Sequence, residues 1–137
     1  MGDGKAVLFD GMTPAQRTGK AGEDYTAGWL QRQGYRILER NWHSRWGEVD
    51  IIASLGETVA FVEVKSRRPG AMVSPVEAVT REKRQKLLKT AALWLDAAGC
   101  GLQPRMDVAA VTIQNSQGRE LICGFEYFES AFDGSEF

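Results

Sequence analysis

The sequence predicts a single α/β domain built on a mixed β-sheet. Two segments with helix-capping signals alternate with runs of β-branched and aromatic residues, in the order helix, three strands, helix, two strands. Three successive strands joined by short loops favour an antiparallel meander, and the long second helix allows a later strand to join the sheet in parallel. A length of 137 residues, with 43% hydrophobic and 26% charged residues, fits one soluble domain.

The first helix is predicted from a capping signal. Thr13 stands at the cap, Pro14 occupies the first helical position, and Gln16 follows the cap by three residues. We expect this helix to run to about Gln33 and to end at Gly34, because glycine commonly terminates helices.

The remaining elements are predicted from a second capping signal and from the turn residues. The segment Ser74-Pro75-Val76-Glu77 predicts a second helix that ends at Gly99 and carries Lys83 on its apolar stripe. Turn-forming residues bound five strands at residues 35–40, 48–54, 58–65, 106–113 and 120–128. The predicted organisation is a loose arm at 1–12, a domain at 13–128 and an acidic tail at 129–137.

Composition excludes several classes of protein. No apolar run approaches a membrane span and no secretory signal is recognisable, so we expect a cytoplasmic protein with no membrane partner. Cys100 and Cys123 fit no metal or redox motif, which indicates reduced, unpaired thiols.

Residues 64–90 hold eight bases and two acids, although the net charge is −1. This stretch is either a surface for phosphates or a solvated helix face.

The second and third strands end in acidic residues on the side away from the turn that joins them. If the strands pair as a hairpin with Ile52 opposite Phe61, apolar residues face apolar residues and Asp50 faces Glu63. Two carboxylates placed opposite one another are destabilising, so the pattern requires a compensating partner. On the other face the same register predicts three apolar pairs: Val49 with Val64, Ile51 with Val62, and Ala53 with Ala60.

A divalent cation is one way to compensate the acidic pair. Mg²⁺ (or Mn²⁺) binds oxygen ligands, usually one or two carboxylates together with water and substrate phosphate. Asp50 and Glu63 would supply the carboxylates, and Glu23 could supply a third, since it lies on the inward stripe of the first helix. The alternative is a cross-strand ion network at the sheet edge, in which Glu48 faces Lys65.

Several short motifs follow one another between residues 18 and 113 of the chain. They are Gly22–Glu23, Gly34–Leu38, Arg40–Asn41, Gly47–Ala53, Phe61–Arg67 and Arg105–Val108. The ordered set resembles the PD-(D/E)XK nuclease superfamily. It is most similar to the YraN-like (UPF0102) family of small predicted endonucleases, which resemble archaeal Holliday-junction resolvases.

This resemblance implies a restriction-endonuclease-like (resolvase-like) core and a metal-dependent endonuclease acting on branched or otherwise structured DNA. It implies that Asp50, Glu63 and Glu23 bind Mg²⁺ or Mn²⁺, and that Lys65 positions or helps to deprotonate the attacking water. It also implies a homodimer, because a branched junction offers two equivalent strands. Two alternatives remain, a nucleic-acid-binding module that acts with a partner and has little turnover, and a structural protein whose acids form only an ion network.

Basic and aromatic residues around the acidic pair are candidate contacts to nucleic acid. Arg67 and Arg68 closely follow the third strand and are suited to phosphates. Trp46 could stack on an unpaired base beside Arg45, or it could cover the sheet edge. Lys83 could reach a phosphate at the site, or it could extend its amine to solvent from an apolar stripe.

Overall fold

The computed structural model describes residues 11–136, so most of the predicted arm lies outside the described residues. Within this range the chain forms two α-helices, five strands and one short 3-10 turn. They are α1 (Pro14–Arg32), β1 (Arg36–Ser44), β2 (Gly47–Leu55), β3 (Thr58–Arg67), α2 (Arg81–Ala98), β4 (Gln103–Ser116), β5 (Arg119–Phe132) and the turn Gly134–Glu136.

The strands form one mixed sheet in the order β1-β2-β3-β4-β5. Neighbouring strands are antiparallel except for β3 and β4, which are parallel because α2 carries the chain back along the sheet. One helix packs on each face. Leu30 of α1 lies in a core with Ile51 and Val62, whereas Trp94 of α2 lies in a second core with Phe61. The predicted single-domain α/β fold with a mixed sheet is therefore confirmed, and it is consistent with a restriction-endonuclease-like core.

The predicted start of α1 is confirmed. The Thr13 hydroxyl accepts a hydrogen bond from the Gln16 amide at 3.1 Å, and the Gln16 side chain accepts one from the Thr13 amide at 2.9 Å. These bonds satisfy amide groups that have no partner in the first turn of a helix. The helix ends at Arg32, one residue before the predicted end.

The predicted start of the second helix at Ser74 is wrong. The capping residue is Thr80, and residues 74–79 form turns instead. Arg84 explains the difference, because its guanidinium donates hydrogen bonds to the carbonyl groups of Val79 at 2.8 Å and Val76 at 2.7 Å. Those carbonyls are thus satisfied outside a helix. The predicted end is confirmed, since Gly99 caps α2 in the left-handed conformation with a φ of 61°.

The last strand is longer than predicted, and the predicted tail at 129–137 is wrong over its first four residues. β5 continues to Phe132, which pairs with Met106 of β4 and is only 8% exposed. The Arg84 guanidinium lies 5.4 Å from the centre of the Phe132 ring. Burial of this aromatic ring keeps the end of the strand on the core.

A buried polar network fastens β4 to β5. Asp107 is fully buried, and its carboxylate accepts hydrogen bonds from Arg105, from the Tyr127 hydroxyl at 2.6 Å and from the Ser130 amide at 3.0 Å. The Arg105 guanidinium also donates to the Tyr35 hydroxyl. Burial and the adjacent carboxylate raise the pKa of Tyr127, so its hydroxyl remains a donor. Every oxygen of this buried acid has a donor, which identifies a structural role.

Two further expectations concern membrane-spanning segments and the state of the cysteines. Among the described residues, neither helix has the length and apolar character needed to cross a membrane. Cys100 and Cys123 are both free thiols, as predicted.

A close approach between α1 and β3 fixes the helix that carries Glu23. Gly22 is buried in α1, and a Cβ at this position would collide with the Ser66 hydroxyl of β3. The next-nearest atoms to this Cβ are Cβ of Ser66 and Cγ1 of Val64, and both would lie at an ordinary contact distance of 3.5 Å. The hydroxyl of Ser66 is therefore the group that requires glycine here.

We predict that Gly22→Ala and Ser66→Ala are energetically coupled. Alanine favours the helix over glycine, but with Ser66 present it must displace the hydroxyl. The effect of Gly22→Ala on the free energy of unfolding should therefore be more favourable in the Ser66→Ala background by about 1 kcal/mol. Urea denaturation of the parent, the two single variants and the double variant measures this difference. Simple additivity would contradict the proposed contact.

Candidate metal and nucleic-acid site

The candidate site lies where β2 and β3 separate. The predicted register is confirmed, with Ile52 opposite Phe61 and Ile51 opposite Val62, and that second pair is the last in the ladder. Beyond it, the Asp50 side chain replaces the backbone partner: its Oδ2 accepts a hydrogen bond from the Val64 amide at 2.8 Å. The strands therefore part at their acidic residues and leave room between them.

The predicted orientation of Val49 is wrong. Val49 packs with Ile52 in the core under α2, although regular alternation would place the two on opposite faces of the sheet. The predicted pair of Val49 and Val64 consequently does not form. The alternation of β2 breaks at Asp50, which lies opposite Asn41 of β1 between regular pairs. Asn41 has a φ of 50°, a left-handed conformation that asparagine tolerates better than most residues.

Asp50 and Glu63 form a buried carboxylate pair. Glu63 is 6% exposed, and Asp50 is half-buried beside it. Burial and the charge of Glu63 raise the pKa of Asp50 to about 8. Burial likewise raises the pKa of Glu63, although two lysines oppose that effect. Without a cation, the pair therefore retains a proton at neutral pH.

Two ammonium groups approach the same carboxylate. The Nζ atoms of Lys65 and Lys83 each lie 3.8 Å from Oε2 of Glu63. Lys65 comes from β3 itself, and Lys83 comes from the first turn of α2, so Lys83 reaches the acidic pair, and its contact with a phosphate stays a prediction. The other oxygen, Oε1 of Glu63, is buried and has no hydrogen-bond partner among the described residues.

Glu48 does not face Lys65 as predicted. Its carboxylate instead accepts a hydrogen bond from the Asn41 amide group at 2.8 Å and lies 3.5 Å from Nδ1 of His43. The ladder between β2 and β3 has already ended at this depth, so no backbone pairing brings Glu48 to Lys65. Asn41 belongs to the Arg40–Asn41 motif, but sequence reasoning assigned it no role. The only signal of its left-handed backbone is the residue type itself, since asparagine tolerates this conformation.

Glu23 lies beside the pair, on the α1 side. The Asn41 amide group also donates to Oε1 of Glu23 at 3.0 Å, so one side chain links Glu23 to Glu48. The negative charge of Glu23 contributes to the raised pKa values of Asp50 and Glu63. Within residues 11–136, no three His, Cys, Asp or Glu side chains are arranged to hold a metal. Glu23 as a third ligand stays a prediction.

The donor set of the pair fits a hard divalent cation. Its two carboxylates supply oxygen only, and Mg²⁺ is commonly held by one or two carboxylates with water and substrate completing the shell. The unpartnered Oε1 of Glu63 is a buried acceptor that a cation would satisfy. Asp50 and Glu63 are therefore the residues that could hold the metal.

The candidate nucleic-acid contacts differ in their exposure and in the protein groups that they contact. Arg67 is partly exposed and makes surface hydrogen bonds at 3.3 Å to the Val73 carbonyl and to Glu126. Arg68 is exposed and lines a cleft of about 590 Å³ that also includes Glu23. Arg45 and Trp46 form the exposed turn between β1 and β2. Both Arg67 and Arg68 line the cleft beside Glu23, but Arg67 is paired with Glu126 and Arg68 has no ion pair within residues 11–136. Their contacts with phosphate stay predictions.

The acidic residues and lysines of the candidate site lie within a segment that matches a known protein family. The model of a family described as "Uncharacterised protein family UPF0102" matches residues 22–111. A UPF0102 protein of Nitratidesulfovibrio vulgaris strain DP4 is 42% identical over 120 residues, which cover 87% of this chain and 86% of the relative. One from Syntrophus aciditrophicus is 41% identical over 123 residues, covering 89% and 93%. One from Nocardia farcinica is 45% identical over 107 residues, covering 77% and 84%.

We predict that Asp50→Asn stabilises the metal-free protein, and increasingly so as the pH rises from about 4 to about 8. The pKa of Asp50 is raised from an ordinary 3.8 to about 8, so its contribution to stability is present at low pH and is lost as the carboxyl ionises. Asparagine keeps the acceptor for the Val64 amide and cannot ionise. At pH 8 the gain should be on the order of 1 kcal/mol or more.

Urea denaturation in EDTA at pH 4.5, 6 and 8 measures this effect. Asp96→Asn is the matched control, because Asp96 is an exposed carboxylate near the end of α2. The control should show no comparable dependence on pH. A constant stability difference between Asp50→Asn and the parent across these values would contradict the buried, repelled pair.

Proposed function

The chain belongs to the uncharacterised protein family UPF0102, and we propose that it is a metal-dependent endonuclease that hydrolyses phosphodiester bonds of branched or otherwise structured DNA. The family membership confirms the resemblance predicted from the motifs. One observation carries the proposal: a buried carboxylate pair, with an unpartnered acceptor on Glu63, lies between two lysines at the separated ends of β2 and β3. Carboxylates and cations that converge in this way suit a metal ion and a phosphate together.

The residues divide the chemistry among themselves. Asp50 and Glu63 hold Mg²⁺ or Mn²⁺, which when bound lowers the pKa of water and offsets the charge that develops at phosphorus. Lys65 orients the attacking water beside Glu63, and Lys83 binds a non-bridging phosphate oxygen from the α2 side. Both roles rest on the distance of 3.8 Å that each ammonium keeps from Glu63.

Neighbouring residues support this arrangement. Glu23 is held by Asn41 at the edge of the site, where it would help to order water beside the carboxylate pair. Arg68 binds the DNA backbone from the cleft on the α1 face, since Arg67 is occupied by Val73 and Glu126. Phosphate contacts of this kind place a strand without reading its sequence.

A second candidate function is a nucleic-acid-binding module with little or no turnover. The observation that favours it is the position of Glu23, which binds Asn41 and does not join Asp50 and Glu63 in a three-carboxylate group within the described chain. In this alternative the basic residues bind DNA, and a partner supplies or completes the chemistry. The two functions differ in whether the purified protein cleaves.

We predict that Asp50→Asn abolishes cleavage and preserves binding. Removing one strong ligand should lower the Mg²⁺-dependent rate on a labelled four-way junction by about a hundredfold or more, because the cation contributes several kcal/mol to the transition state. Binding in EDTA should hold steady near neutral pH, because the metal-free pair already retains a proton there and the basic residues remain. It should hold steady or tighten at a pH above 8, where Asp50 of the parent is ionised. Binding should weaken as salt rises.

Asp96→Asn again serves as the matched control and should cleave like the parent. Linear, flap and four-way-junction substrates are compared with Mg²⁺ and with Mn²⁺. Equal cleavage by Asp50→Asn and the parent would identify a contaminating nuclease and overturn the proposed role of Asp50. Metal-independent binding without cleavage of any substrate by the parent would favour the binding module.

The proposal includes a homodimer, as the resemblance to resolvases implies. Two active sites related by a two-fold axis can meet the two equivalent strands of a branched junction. Light scattering at high protein concentration should give a mass of about 30 kDa, twice the 15.2 kDa of one chain. A mass of about 15 kDa under these conditions would contradict the dimer.

A further inference from the structure

Trp46 is an exposed aromatic ring surrounded by cations. It lies in the turn between β1 and β2, and its exposed fraction is 38%. The Lys89 ammonium lies 4.3 Å from the centre of its ring, and the Arg45 guanidinium lies 5.5 Å from it. By contrast, Trp42 of the same hairpin is half-buried against the core under α2. Trp42 therefore covers the sheet, whereas Trp46 keeps more than a third of its surface exposed.

The cations around Trp46 lack acidic partners. Among the described residues, Arg45, Lys86 and Lys89 form no ion pair. Some basic residues elsewhere are paired, Lys20 and Arg40 with Asp24, Arg67 with Glu126, and Arg105 with Asp107, whereas the dispersed residues Arg36, Arg68 and Arg119 also form no ion pair within the described part of the chain. The Trp46 region differs in that three such cations lie together. Uncompensated positive charge around an exposed aromatic ring fits an anionic ligand that carries planar groups.

This surface is continuous with the acidic pair. A small cavity of about 180 Å³ is lined by Trp46, Glu48, Lys83, Lys86, Thr90 and neighbouring residues, so two lysines and one acid face it. Lys83 contacts Glu63 on one side and lines this cavity on the other. Six residues of helix separate Lys83 from Lys89, a rise of about 9 Å. A nucleotide strand leaving the acidic pair along α2 would therefore reach Trp46 within a few nucleotides.

We propose that Trp46, Arg45, Lys86 and Lys89 form a platform that binds an unpaired base of a DNA strand close to the phosphodiester at the acidic pair. This Trp46 platform rests on the proposed function and names its substrate class: DNA that carries unpaired nucleotides beside the cleavage site. The indole stacks on the base, while Lys86 and Lys89 contact flanking phosphates. The Arg45 guanidinium, 5.5 Å from the centre of the indole ring, adds positive charge beside the stacked base.

The geometry of stacking explains why unpaired nucleotides are required. Inside a continuous duplex both faces of each base are covered by neighbouring bases, so no face is available to an indole ring. At a gap, a flap or the centre of a junction, one face is open or can be opened at low cost. Stacking does not depend on base identity, because every base has a π-face. The platform therefore selects DNA structure and not sequence.

Fluorescence anisotropy in EDTA tests the platform independently of cleavage. The probes are a labelled single strand of twelve thymidines and a labelled blunt duplex of twelve base pairs. Trp46→Ala should weaken binding of the single strand by about five- to a hundredfold, which is the range for one stacked base. Duplex binding should change by less than twofold. Trp46→Phe should retain most of the affinity for the single strand.

Two more variants separate stacking from charge and from folding. Lys86→Gln should reduce the slope of log affinity against log salt for the single strand by about 0.7, whereas Trp46→Ala should leave that slope unchanged. Leu55→Ala is the matched control, since Leu55 is an exposed apolar residue at the other end of β2. It should bind both probes like the parent.

The outcomes distinguish the platform from the nuclease proposal. Equal loss of single-strand and duplex affinity in Trp46→Ala, or no loss at all, would overturn the platform even if the parent cleaves DNA. Selective loss of single-strand binding, rescued by Trp46→Phe, would support the platform even if the parent cleaves nothing. Cleavage assays alone cannot distinguish the platform from the nuclease proposal, because cleavage would be lost both without DNA binding and without catalysis.

Discussion

One hydrogen bond organises the candidate site: the carboxylate of Asp50 accepts from the amide of Val64. At this point a side chain replaces the backbone partner that a regular antiparallel ladder would supply. The strands can then separate without leaving a buried amide unsatisfied. The same bond holds the Asp50 carboxylate beside Glu63, whose charge contributes to the raised pKa of Asp50, so the sheet opens where the two carboxylates approach.

Two buried acids in this molecule show opposite treatment. Asp107 has donors from Arg105, Tyr127 and Ser130, and it fastens β4 to β5. Glu63 is nearly as buried, yet one of its oxygens has no partner among the described residues and its lysines stand at 3.8 Å. A satisfied buried acid stabilises the fold, whereas an unsatisfied one costs stability and is open to a ligand. The contrast supports a functional reading of the acidic pair without any appeal to its sequence.

The parts of the fold that sequence predicted are those set by regular patterns. The register that places Ile52 opposite Phe61 follows from apolar alternation, and the start of α1 follows from a capping box. Alternation fails at Val49 because it assumes an unbroken strand, and the break lies opposite the left-handed backbone of Asn41 in the neighbouring strand. The second helix begins later than its first capping signal predicts, because Arg84 donates hydrogen bonds to carbonyl groups in the turn that precedes the helix.

The unequal lengths of the strand ladders have a consequence for motion. β4 and β5 pair along almost all of their fourteen residues and are fastened by a buried network, whereas the ladder between β2 and β3 stops at Ile51 and Val62. Backbone amides are protected from exchange with solvent in proportion to the structure that must open to expose them. The sheet is thus graded, with a rigid half formed by the C-terminal hairpin and a looser end at Asp50. Under the proposed function, a strand of DNA would meet the sheet at that looser end, away from the hairpin that holds the fold together.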